Sequence, residues 1–139
     1  MANYTAACRS NYFRVKDADA FTTAMDNIPD IMVEEQKHGK YAGYFIITGD
    51  NADGGGWPGC CYDDETGEEF EVDLAQEVAP HLIDDEVAVF LESGSEKLRY
   101  LTGVAFAVNN KGKEVVININ EIYEKAKKKL GANVTAAEY

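Results

Sequence analysis

The sequence predicts an α+β fold: an antiparallel or mixed sheet of six to eight strands with three helices. Three observations predict it. Short apolar segments of strand length recur at close spacing. Three further segments carry apolar residues at helical spacing, each opening at Asp or Asn. Glycine-containing turns separate most of these segments. With 139 residues, 45% of them hydrophobic, the chain is read as one domain over 1–139, able to bury a core and too apolar for disorder.

The elements follow in order. Residues 10–16 (SNYFRVK) alternate Tyr12, Arg14 and Lys16 against Phe13 and Val15, which reads as a strand. Asp17 caps a helix running to about Asn27, with Phe21, Ala24, Met25 and Ile28 as its apolar face and Pro29 as its stop. A strand at 31–35 and a return strand at 41–48 flank the turn HGK at 38–40. Residues 49–59 (GDNADGGGWPG) form a loop by composition. The segments 60–62 and 68–72 flank DDETG as a short acidic hairpin. Asp73 caps a second helix with Leu74, Val78 and Leu82 on one face, ended or bent by Pro80.

Residues 86–92, 97–109 and 113–119 read as a meander of three strands joined by SGSE and NNKG. Gly112 sits where positive φ is needed. Asn118 or Asn120 caps the last helix, which carries Ile122, Tyr123, Ala126 and Leu130 and stops at Gly131. The order strand, helix, strand, strand occurs at 10–48 and again at 68–108. One reading is two pseudo-repeated βαββ units; the other is that this order is simply common in α+β domains.

Charge is the most unusual feature. The formal net charge is −12, from 25 acids and 13 bases. Residues 1–40 carry −1, residues 41–96 carry −15, and residues 97–139 carry +4. The middle stretch contains no Lys or Arg in 56 residues. Acids that only solubilise a surface are normally interspersed with bases. Such a chain is not expected to bind nucleic acid directly, which requires a basic face. The lysines at 125 and 127–129 complement the C-terminal end of the last helix dipole.

No apolar run reaches membrane-spanning length, and residues 1–9 lack the pattern of a signal peptide. The expectation is a cytoplasmic protein with no membrane partner. Three cysteines, with Cys60 and Cys61 adjacent and Cys8 distant, favour reduced thiols over a disulfide framework.

Known catalytic patterns do not assemble. Asp50, Asn51 and Asp53 lack the alternating ligands of a calcium loop, because positions 52 and 54 are Ala and Gly. The consecutive carboxylates of Asp63, Asp64 and Glu65 cannot converge on one ion from a regular strand. Cys8, His38, Cys60, Cys61 and His81 show no zinc spacing. There is no GxSxG, GxGxxG or GxxxxGK, and the glycines at 54–56 lead into Trp57, Pro58 and acids that repel phosphate. No catalytic residue, metal or cofactor is expected, and the chain is read as non-enzymatic.

The positive reading is acid mimicry. Spaced carboxylates imitate a nucleic-acid backbone and occupy a basic groove on an enzyme that handles nucleic acid. The candidate partner-binding residues are Trp57, Asp50, Asp53, Asp63, Asp64, Glu65, Glu68, Glu69 and Glu71. Trp57, the single tryptophan, is either an exposed anchor for a partner or a loop aromatic tucked onto the core. The alternatives are a small-molecule module with an apolar pocket lined by Tyr and Trp, and a structural or oligomeric role marked by a large apolar patch.

The motifs SNYFRVKD at 10–17, GGWP at 55–58, EKLRYLTGVAFAVNNKG at 96–112 and NVTAAEY at 133–139 span much of the chain. In them the sequence resembles small acidic proteins encoded on phages, plasmids and other bacterial mobile elements. The resemblance brings no catalytic residues. It implies a setting in which small non-enzymatic proteins inhibit host defence enzymes, restriction and CRISPR nucleases among them. The expected partner is therefore the basic surface of a host protein.

Overall fold

The computed structural model describes residues 4–49, 56–62, 66, 68–96 and 100–137. It is α+β, with one open antiparallel sheet of six strands and three helices. The strands are β1 (Tyr4–Ser10), β2 (Ile31–Glu35), β3 (Phe45–Gly49), β4 (Cys60–Tyr62), β5 (Glu69–Glu71), β6 (Val87–Glu96), β7 (Tyr100–Asn109) and β8 (Glu114–Asn118). The helices are α1 (Ala18–Met25), α2 (Leu74–Val78) and α3 (Glu121–Lys129). The main sheet runs β2-β3-β1-β6-β7-β8, and β4 pairs with β5 as a separate hairpin. The strand–helix–strand–strand order recurs along the chain but not in space, because β1 lies in the sheet and β5 in the hairpin.

Two of the three predicted caps act through their side chains, while Asn120 at the start of α3 makes no side-chain cap bond. Asp17 accepts from the Ala20 amide at 3.1 Å, and Asp73 from the Gln76 amide at 3.3 Å. Phe21, Met25 and Ile28 are buried, as are Leu74, Val78 and Leu82. Pro80 sits in a 3₁₀ turn (Ala79–His81) that ends the second helical segment. These helical faces cover one side of the sheet, where Phe13, Phe45, Ile47, Ala88, Phe90 and Val108 complete the core. Edge-to-face contacts tie the layers together: Phe13 on Phe21 at 5.8 Å and Phe21 on Phe45 at 5.0 Å.

Three boundaries differ from expectation. The first strand lies at Tyr4–Ser10, not 10–16. Past Ser10 the chain leaves the ladder: Phe13 bridges to Phe45 and Val15 to Leu82, so successive residues serve two different neighbours. Two side chains replace the lost ladder bonds. Asn11 accepts from the Val89 amide and donates to the Val87 carbonyl, and the buried Ser10 hydroxyl accepts from the Ile47 amide at 2.8 Å. Next, SGSE is not a turn but the last part of β6. A Cβ on Gly94 would lie 2.6 Å from the Thr5 carbonyl and 2.8 Å from the Tyr4 ring, so glycine here admits close packing by β1. Finally, α3 has no buried residue.

Truncating Phe90 to Ala should cost about 3–5 kcal/mol in urea unfolding, because the ring fills the centre of the core between Trp57 and Phe106. Asn11→Ala should cost about 1–3 kcal/mol, because the Val89 amide loses its side-chain acceptor.

Candidate functional site

The Trp57 loop lies over the same sheet face as the helices. Its position is set by Glu92, which β-strand alternation places on the inner face with Ala88 and Phe90. One Glu92 oxygen accepts from the Trp57 amide at 2.9 Å; the other accepts from the Tyr4 hydroxyl at 2.7 Å. The Gly56 backbone passes so close to this carboxylate that a Cβ there would collide with it. Tyr4 also shares a hydrogen with Thr102 at 2.7 Å. Burial, reinforced by the Glu92 charge, pushes the Cys8 thiol up to about 11. The Tyr4 phenol is also raised, chiefly by burial. Both groups are therefore held protonated beside an acid.

Trp57 is half-buried and meets Phe90 edge-on at 5.5 Å. Its indole N–H is buried with no hydrogen-bond partner among the described residues. Beside it lies a hollow of about 400 Å³ with Trp57, Pro58, Val72, Leu74, Phe106 and Val116 as apolar lining and Glu71, Asp73 and Glu114 as acids. An apolar floor with carboxylates around it suits a Lys or Arg side chain, whose stem is apolar and whose head is cationic. Glu114 also accepts from the Gln76 side chain at 2.6 Å, which links β8 to α2.

The candidate residues fall into three groups. Trp57 lines the hollow, and the exposed Glu71 stands beside it. Glu68 is exposed at the hairpin, and Glu69 opens β5. Asp50, Asp53, Asp63, Asp64 and Glu65 lie outside the described residues. Further exposed acids follow along the chain at Asp73, Glu77, Asp84 and Asp85. Within the described part of 41–96, Glu86 is the single carboxylate held in an ion pair. The Arg14 guanidinium grips it at 2.9 Å, and the Arg14 amide donates to it at 2.6 Å. The nearly buried Glu86 thus belongs to the interior framework and not to an outward anionic surface. Among the described residues no ion pair joins the lysines of α3 to this segment, and Lys127 pairs with Glu124 of its own helix.

Glu92 and Glu114 were not singled out from the sequence. Inner-face parity with Phe90 is a local signal for Glu92. Glu114 has none, because it reaches the hollow only through the β7–β8 pairing.

Among the described residues no group of three or more His, Cys, Asp or Glu is placed to hold a metal ion. No helix among them is long and apolar enough to cross a membrane. Comparison with protein-family models, curated proteins and solved structures gives no match.

The Arg14 contacts hold the Glu86 carboxyl below the usual carboxylate range. Its contribution to stability is then full above that range and is lost as pH falls through the lowered value. Glu86→Ala should destabilise by about 1–3 kcal/mol at neutral pH, and the gap to wild type should narrow as the pH of urea titrations drops below the carboxylate range.

Proposed function

We propose that the protein is a non-enzymatic binding protein that offers its acidic middle segment and the Trp57 hollow to a basic protein surface. The partner we assign is a nucleic-acid-handling enzyme of the host, with inhibition of host defence as the biological role. The observation that carries the reading is local charge without local compensation. Along 56–96 the described acids, Glu86 excepted, form no ion pair. Charges left open in this way steer a cationic groove toward the molecule and release its counterions on contact. The hollow beside Trp57 supplies what charge alone lacks, a shaped place for one basic side chain. A groove that normally holds nucleic acid presents the required lysines and arginines at phosphate spacing.

The test uses the protein on a solid support, exposed to bacterial lysate. The retained partner should elute with salt and with duplex DNA or RNA added as competitor. Reversing Asp63, Asp64, Glu68 and Glu71 to Lys should abolish retention while the circular dichroism spectrum stays unchanged. Retention that survives the four reversals, or that ignores salt and nucleic acid, contradicts the reading.

A further inference from the structure

The sheet has a second face, and among the described residues no helix packs on it. Register and alternation place Ala7 and Arg9 of β1, Val89, Leu91 and Ser93 of β6, Leu101, Gly103 and Ala105 of β7, and Val115 and Ile117 of β8 on this outer side. Leu101 is 63% exposed, and Val115 and Ile117 are each 64% exposed. The small residues Ala7, Ser93, Gly103 and Ala105 lie low between the larger Leu91, Leu101, Ile117 and Ile119, and the trough so formed measures about 740 Å³. Ile119 lies across Gly103, where a Cβ would meet its methyl at 2.6 Å.

The same chain carries an amphipathic helix, α3, none of whose residues is buried. Ile122, Ala126 and Leu130 recur at four-residue spacing, which puts them on one stripe of α3. Ile122 is 61% exposed and Leu130 87% exposed. A nine-residue helix is marginal in water without tertiary packing. It starts straight after β8, and the turn is pinned by the Asn118 amide donating to the Glu121 carboxylate at 2.6 Å and the Asn120 amide donating to the Asn118 side-chain oxygen at 2.9 Å. In this arrangement no residue of α3 is buried.

We infer that a second copy of this chain covers the outer face, with α3 of each protomer lying in the trough of the other. One chain thus carries both halves of an interface, and a twofold pairing satisfies both at once. The apolar area agrees with this. The eight aliphatic side chains Val87, Leu91, Leu101, Val115, Ile117, Ile119, Ile122 and Leu130 are each between 45% and 87% exposed, and exposed apolar groups in such number mark an interaction surface. Charge agrees as well. Two chains of −12 repel unless they meet where acids are missing. From β1 to β8 the outer side bears one charged residue, Arg9. The element it would receive, α3, carries four lysines against two glutamates.

Light scattering on the eluting full-length protein tests this. At and above micromolar concentration the mass should be twice the 15.3 kDa of one chain. Ile117→Lys on the trough wall should return it to one chain mass, and so should Ile122→Glu combined with Leu130→Glu on α3. Both sets of positions are exposed, so the sheet signal in circular dichroism should not change, and any loss should be limited to the helical signal of α3. Val115→Lys, on the same side, replaces Ile117→Lys if that variant unfolds. A wild-type protein that stays at one chain mass overturns the inference, and so does a dimer that survives either substitution.

Discussion

Burial of one sheet face under α1, α2 and the Trp57 loop is the constraint on which the rest of the molecule depends. The inner side draws in Phe13, Phe45, Ile47, Ala88, Phe90 and Val108 and leaves the outer side to whatever else is available. It also fixes where charge can go. Glu71, Asp73, Glu77, Asp84 and Asp85, which flank the buried Leu74, Val78 and Leu82, are all exposed. The one acid of this stretch drawn inside, Glu86, is met by an arginine that arrives from the N-terminal third. Its retention illustrates the rule that a buried carboxylate keeps its charge only where a cation and hydrogen bonds replace water.

Two kinds of carboxylate therefore coexist. Glu86 and Glu92 are structural: the first clamps the segment after Ser10 against the turn before β6, and the second holds the Trp57 loop down. Glu68, Glu71, Glu77, Asp84 and Asp85 are exposed and form no ion pair among the described residues. Only the second kind is open to solvent as an anionic surface. The distinction follows from position in the fold, since the residue types are the same.

Much of the fold was legible in the sequence because its signals are local. Asp17 and Asp73 cap helices, Gly112 turns with φ near 82°, and the apolar spacing of Phe21, Met25 and Ile28 faces the core. What was not legible depends on neighbours distant in sequence. β1 carries Ala6, Ala7, Cys8, Arg9 and Ser10 after its Tyr and Thr, a run with little strand signal, and is held by pairing with β6. The continuation of β6 through Ser93 and Gly94 depends on Tyr4, about ninety residues earlier. The acidic character of the site was plain from a stretch without Lys or Arg. The role of Glu92 was not, because composition does not tell an acid that buttresses a loop from one that faces solvent. The sequence likewise marked α3 by its spacing, but not that none of its residues would be buried.

Nuclear magnetic resonance with small paramagnetic cosolutes of opposite charge tests the central claim most directly, because it reads the local potential at each amide. Amides of β5, α2 and the turn before β6 should be relaxed far more by the cationic probe than by the anionic one, and those of β7 and β8 about equally by both. An even excess of the cationic probe over the whole surface would contradict the account, since the charge would then be diffuse and no side of the molecule would stand out to a basic partner.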